Sequence, residues 1–335
     1  MASKVAYPPG RMQAASSSLP LLIAALVVGI VALVWGANRF VDGADAGARS
    51  LGVPPIVVGL TVVAFATSAP ELLVSSVAAF SGSPDIGIGN ALGSNIANMG
   101  LVLGLTAAVR PVGLPERLLR QELPLLALAM VVTFFLLQDS RLGRLDGILL
   151  LSGLVGFAVL TVRNALRARP ANHAAELAAN PAANGTASAA LQLVVGLVVL
   201  LLSSRALVWA AASLARFMGI PELVIGLTVI AVGTSLPELA ASVACALRGQ
   251  PEMAVGNIVG SNLFNLLGVL GLPGVIMPQA IDSAVIERDF AAMVALTLLA
   301  VTLAYSGSVK RISRLGGLLL LLAYGAYGVW LFAPP

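Results

Sequence analysis

Residues 59–75 read GLTVVAFATSAPELLVS, and residues 226–242 read GLTVIAVGTSLPELAAS. Each is an apolar stretch of membrane-helix character interrupted at its centre by Thr-Ser-x-Pro-Glu. The two copies continue as GNALGSNIAN (89–98) and GNIVGSNLFN (256–265). Residues 54–105 align with 221–272 without a gap at an offset of 167, and 26 of the 52 positions are identical. Weaker matches run upstream, as in Ala48-Arg49 and Ala215-Arg216. Self-similarity of this length at one fixed offset marks an internal duplication.

The rest of the chain says what is duplicated. Of 335 residues, 59% are hydrophobic and 10% charged, against roughly 45–50% and about 25% in soluble domains. That balance excludes a cytosolic enzyme and a disordered chain. The net charge of +4 is scattered rather than gathered on a basic face, so no nucleic-acid partner is expected. The single Cys245 has no disulfide mate. A membrane helix needs about 20 apolar residues, and ten segments qualify: 19–40, 56–80, 86–109, 123–138, 145–165, 190–212, 223–247, 253–276, 290–306 and 315–332. The fold class expected is therefore an all-α polytopic membrane protein. The first segment is read as retained rather than as a signal peptide. Five spans separate corresponding elements. Five is odd, so the two halves enter the membrane from opposite sides, the inverted repeat common among secondary transporters. The organisation expected is an N-terminal tail (1–18), a first five-helix half (19–165, repeat 54–105), a flexible cytoplasmic linker (166–189) and a second half (190–335, repeat 221–272). With the N-terminus outside, 12 basic residues fall in inside segments and 6 outside, which places both termini outside. The linker is too short for a folded regulatory domain, and economy points to a prokaryotic plasma membrane.

Glu71 and Glu238 lie mid-span, where a charge costs about 2.5–3.5 kcal/mol on insertion scales. Neither repeat supplies a Lys or Arg before its glutamate, so the counter-charge expected is an external cation. Pro70 and Pro237 each remove a backbone donor, which frees the carbonyls of Ala66 and Gly233. Such breaks persist only where the backbone faces protein or a watery cavity. The hydroxyls of Thr67, Ser68, Thr234 and Ser235 crowd the same turn. Ser94 and Asn98, like Ser261 and Asn265, share a helix face at i, i+4. Gly89, Gly93, Gly256 and Gly260 give seams for close helix packing. The donor set is oxygen only, which suits hard cations such as Ca²⁺ and offers Zn²⁺ and Cu⁺ neither sulfur nor imidazole.

At Thr67-Ser68-Ala69-Pro70-Glu71 with Gly93-Ser94-Asn95, and Thr234-Ser235-Leu236-Pro237-Glu238 with Gly260-Ser261-Asn262, the sequence resembles the sodium/calcium exchanger family of the calcium:cation antiporters. The resemblance implies ten helices in two inverted halves and four ion sites in a diamond at the membrane centre. Glu71 and Glu238 would be shared between a Ca²⁺ site and flanking Na⁺ sites. Ser68, Ser94, Ser235 and Ser261 would be hydroxyl ligands. Thr67, Thr234, Ala64 and Ala231 would offer carbonyls, and Asn98 would serve the middle position. The first and sixth helices would slide to alternate access. Family members often carry an aspartate where this chain has Asn265. The two remaining carboxylates would be neutralised by one Ca²⁺, whereas three Na⁺ would leave +1. The Thr-Ser-x-Pro-Glu pattern favours Na⁺ over H⁺ coupling.

The function expected is Na⁺/Ca²⁺ antiport with Ca²⁺ and Na⁺ as substrates, no cofactor and no obligatory protein partner. Antiport of H⁺, or of another divalent cation, is the alternative. An intramembrane hydrolase would leave the hydroxyl and amide ligands surplus, so no enzyme activity is expected. Channels usually build selectivity from rings of subunits. Ser75 and Ser242 are read as packing residues, and Asp42 and Asp45 as lying near the inner interface.

Overall fold

The computed structural model describes residues 9–167, 186–220, 231–283, 285–306 and 310–331. The chain is an all-helical polytopic membrane protein. Its first half holds α1 (Pro9–Leu51), α2 (Pro55–Thr67), α3 (Ala69–Phe80), α4 (Pro84–Val109), α5 (Leu118–Leu137) and α6 (Arg144–Arg167). The second holds α7 (Thr186–Phe217), α8 (Ala231–Thr234), α9 (Leu236–Leu247), α10 (Pro251–Ile276), α11 (285–305) and α12 (Arg314–Leu331). Two-residue strands join the helix ends. Val112–Gly113 (β1) pairs with Arg311–Ile312 (β4), and Arg141–Leu142 (β2) with Gln279–Ala280 (β3), both antiparallel.

Among the described residues, seven helices are long and apolar enough to cross a membrane, and the α2–α3 pair, bent by 42°, makes an eighth. Two of the ten expected segments do not meet that mark alone. The stretch 221–230 lies outside the described residues and leaves α9 twelve residues long. Helix α11 directly follows Ala284, which also lies outside the described residues. Helical backbone reaches into the segments read as tail and linker. Helix α1 already begins at Pro9, and α6 and α7 run to Arg167 and from Thr186. Ala- and Ser-rich residues such as Gln13–Ser18 hold no breaker, so helix hydrogen bonding propagates through them. The remainder of the linker, 168–185, lies outside the described residues.

Burial orders the helices. In α10 and α4, 89% and 72% of the membrane-length window is buried, against 22% in α6 and 17% in α12. The central pair is therefore the one built from Gly, Ser and Asn, and the periphery is built from Leu and Val. That is the expected distribution where lipid solvates apolar chains and small residues let backbones meet. At the crossing of α2 and α10, a Cβ on Gly256 would lie 2.6 Å from the Ile56 carbonyl oxygen, and one on Gly260 2.7 Å from that of Leu60. For Gly89 and Gly93 the facing segment by repeat offset falls in 221–230, outside the described residues. Gly256→Val should force α2 and α10 apart. We expect a loss of about 1–3 kcal/mol or more from overpacking, seen as a lowered melting temperature in detergent. An unchanged melting temperature would show that the crossing is not tight.

The duplication also governs local backbone. π-helical turns occupy Asn98–Val102 and Asn265–Val269, and again Leu118–Glu122 and Val285–Phe290. In each pair the first residues are 167 apart. Such turns widen the helix by one residue and often mark functional positions. One end of α1 is tied to the α9–α10 turn. Arg248 pairs with Asp42 and donates to Asn38 (2.8 Å), and Gln250 donates to Asp45 (2.9 Å). Asp45 is also paired with Arg49. Thus Asp42 and Asp45 act as anchors for α1, a role their positions in the sequence did not disclose.

Candidate functional site

The site forms where α2 ends and α3 begins, beside the equivalent break between α8 and α9. Ser68 (φ −85°, ψ 1°) and Ser235 (φ −87°, ψ 4°) occupy the two breaks in nearly the same conformation. Neither Pro70 nor Pro237 has an N–H, and each sits in the first turn of the following helix, where the missing donor costs least. The glutamates follow directly, in the first turn of α3 and α9. The exposed N–H groups there favour negative charge. Sequence thus fixes both the break and the electrostatic seat of its carboxylate.

The two breaks meet across the protein. The Ser68 hydroxyl donates to Glu238 Oε1 at 3.2 Å. Glu71 lies three residues beyond Ser68, less than one helical turn away, so the two carboxylates belong to one constellation. Both are buried, at 0% and 1% exposure. None of the ion pairs among the described residues involves either of them.

The surrounding polar groups come from α4 and α10. Ser94, Asn98, Ser261 and Asn265 are buried, as are Thr67, Ser235 and Ala64. Thr234 is half-buried, and Ala231 opens α8. The Thr67 hydroxyl donates to Asn257 Oδ1 (3.2 Å) and lies 3.3 Å from the Ala64 carbonyl oxygen. That carbonyl also accepts from the Ser68 N–H (3.0 Å). Ala66 is the carbonyl that Pro70 deprives of its donor. The structure thus buries Thr67, Ser68, Glu71, Ser94 and Asn98 with Ser235, Glu238, Ser261 and Asn265, and joins the two breaks through the Ser68–Glu238 bond.

Buried side-chain nitrogen and oxygen atoms are normally hydrogen-bonded, and the exceptions call for a reason. Thirteen such atoms lack a partner among the described residues. Eight of them belong to six of the candidate residues: both carboxylate oxygens of Glu71, Glu238 Oε2, the hydroxyls of Ser235 and Ser261, Asn98 Oδ1, and both polar atoms of Asn265. Most are acceptors or hydroxyls that meet no partner among the described residues. Unpaired buried oxygens that include those of two carboxylates have the chemistry of cation ligands.

Two residues absent from the expected set support the glutamates. Asn90 donates to the Glu71 carbonyl oxygen (3.2 Å), and its repeat mate Asn257 donates to that of Glu238 (3.3 Å). Asn257 also donates to Ser242 Oγ (2.9 Å). Their signal was present as identical Gly-Asn pairs in both copies, but sequence could not say that they reach backbone. Ser75 and Ser242, read as packing residues, are engaged by the Val269 carbonyl (2.7 Å) and by Asn257 respectively.

Comparison with known proteins identifies the architecture. The family model for sodium/calcium exchanger proteins matches residues 21–163 and 188–333. The chain is 44% identical to the putative antiporter CaxA of Alkalimonas amylolytica, over 92% of this chain and 98% of that protein. It is 30% identical to the sodium/calcium exchanger MaX1 of Methanosarcina acetivorans, over 92% and 97%. Its structure resembles that of the sodium-calcium exchanger NCX_Mj with a TM-score of 0.79 and 31% identity, covering 94% of this chain and 99% of that one. The family is one of membrane transporters, and on this match together with the mirrored Thr-Ser-x-Pro-Glu breaks the chain belongs to the sodium/calcium exchangers.

Proposed function

We propose that the chain is a secondary antiporter that exchanges Na⁺ for Ca²⁺ by alternating access. The observation that carries this reading is the set of unpartnered oxygens around two buried carboxylates, joined across the halves by the Ser68–Glu238 bond. The ligands would be Glu71 and Glu238, with the hydroxyls of Ser68, Ser94, Ser235 and Ser261 and the amides of Asn98 and Asn265. Backbone oxygens of Ala64, Thr67, Ala231 and Thr234 would complete the shells. Buried carboxylates without basic partners favour a doubly charged ion electrostatically, while hydroxyl, amide and carbonyl dipoles replace its water. Exchange follows if the empty site cannot cross, because its uncompensated carboxylates resist passing the membrane centre.

Ten spans in two inverted halves fit this mechanism, and the strand pairing supports inversion. Strands β1 and β3 are mates at the 167-residue offset, yet β1 pairs with β4 and β3 with β2. The twenty residues of α5 separate β1 from β2 by about 30 Å at 1.5 Å per residue. Repeat mates therefore belong to opposite ends of the protein. We place both termini outside, the linker in the cytoplasm, and the chain in a cell membrane. Helices α1 and α7, which pack along each other backbone to backbone at Gly43 and Gly196, are suited to move as one unit.

The test is radiolabelled Ca²⁺ uptake into proteoliposomes loaded with Na⁺, against choline-loaded and pH-jump controls. We expect uptake that requires internal Na⁺ and stops when the Na⁺ gradient is collapsed. Uptake driven by a pH gradient and indifferent to Na⁺ would replace this reading with H⁺/Ca²⁺ antiport.

A further inference from the structure

Two motif asparagines, Asn95 and Asn262, have no part in the ligand set above, although they are repeat mates and both fully buried. Asn262, on α10, is the one that touches a candidate ligand. Asn98 Nδ2 donates to Asn262 Oδ1 at 3.0 Å, while Asn98 Oδ1 has no partner among the described residues. A carboxamide presents two N–H donors on one side and an acceptor oxygen on the other. Only the oxygen can serve a cation; an amide nitrogen turned toward the ion would repel it. Asn262 accepts from Asn98 Nδ2, which leaves Asn98 Oδ1 on the side away from that contact, and Asn262 Nδ2 has no partner among the described residues.

The mirrored contact is not made. Asn95 Nδ2 donates instead to Met293 Sδ (3.5 Å), a weak acceptor, and Asn95 Oδ1 is unpartnered. Both polar atoms of Asn265 also lack a partner among the described residues. Of these two amides, Asn98 has a hydrogen-bond partner among the described residues and Asn265 has none. The sequence repeat is symmetric here, and the hydrogen bonding is not.

We propose that Asn262 is a positioning residue. It holds the Asn98 amide with its oxygen toward the transported cations, while Asn265 is left unconstrained. This rests on the reading that Asn98 is an ion ligand, and the test separates the two. Half-saturating Na⁺ and Ca²⁺, and turnover, are measured in proteoliposomes for wild type, Asn262→Leu and Asn262→Asp. Leucine matches asparagine in shape and lacks the acceptor. It should raise the half-saturating concentrations by roughly fivefold to tenfold, the worth of one buried hydrogen bond, with the melting temperature in cation-free buffer little changed. Aspartate keeps the acceptor oxygen and should not raise them. In an Asn98→Ala background, the shift caused by Asn262→Leu should shrink to less than about twofold, as coupling through a shared contact requires.

Equal shifts in both backgrounds, or a lowered melting temperature with unchanged half-saturation, would overturn the assignment. If Asn262→Leu does not assemble, Asn262→Ala replaces it, and failure of both assigns the residue to packing and likewise overturns the proposal. Absence of Na⁺-dependent Ca²⁺ flux in the wild type would instead refute the proposed function, so the two failures have different signatures.

Discussion

Glu71→Gln and Glu238→Gln should each abolish Ca²⁺ flux in proteoliposomes while the protein still inserts and purifies as a monodisperse species. Glutamine keeps the shape of the side chain and removes its charge. Breaking one member of a buried charge cluster typically costs about 3–5 kcal/mol, so Ca²⁺ affinity should fall roughly 10²–10⁴-fold. Stability should move the other way without cations. Two buried carboxylates with no basic partner burden the fold, and replacing one by a neutral amide relieves that burden. The variants should therefore melt at or above the wild-type temperature in chelator. Added Ca²⁺ should stabilise the wild type by mass action and leave the variants unmoved. Differential scanning with and without Ca²⁺, run beside the flux assay, reads both signs. A variant that keeps wild-type flux, or that still gains melting temperature with Ca²⁺, removes its carboxylate from the site.

Much of this arrangement was legible in the sequence, because a membrane interior makes polar residues conspicuous. Glutamate after proline in a run of Val, Ala and Leu has few structural explanations, and its exact repetition 167 residues later has fewer. The same contrast picked out Ser68, Ser94, Asn98 and their mates, all of them buried in the structure. What was hidden depends on geometry that composition does not encode. The π-helical turn at Asn98 shifts the helix face by a fraction of a turn, so i, i+4 spacing alone misjudges where side chains beyond it point. Asn257 reaches Thr67 of the other half, a contact no local pattern announces. The anchoring of α1 by Arg248 is likewise non-local. The charged mouth of α11 is another such case: Arg288 pairs with Asp289, and Tyr327 of α12 donates to Asp289 at 3.0 Å.

Asn265→Asp should transfer voltage dependence from one limb of the transport cycle to the other. In the proposed mechanism the two glutamates carry a charge of about −2, so the Ca²⁺-loaded carrier is neutral and a carrier loaded with three Na⁺ bears +1. Ca²⁺/Ca²⁺ exchange should then ignore membrane potential, while Na⁺/Na⁺ exchange should respond to it. An ionised carboxylate at position 265, where both polar atoms of the native amide lack a partner among the described residues, adds one negative charge to each state. The Ca²⁺-loaded carrier becomes −1 and the Na⁺-loaded carrier neutral, so the sensitivities exchange places. One elementary charge crossing the whole field is worth about 2.3 kcal/mol per 100 mV, which bounds the effect at roughly 50-fold. The measurement is tracer homo-exchange in vesicles clamped by K⁺ and valinomycin at alkaline pH. At acid pH a proton on the introduced carboxyl restores the charge of asparagine, and the wild-type pattern should return. Homo-exchange that keeps the wild-type voltage dependence at both pH values would place position 265 outside the charge that moves with the ions, and the middle of the site would then belong to Asn98 alone.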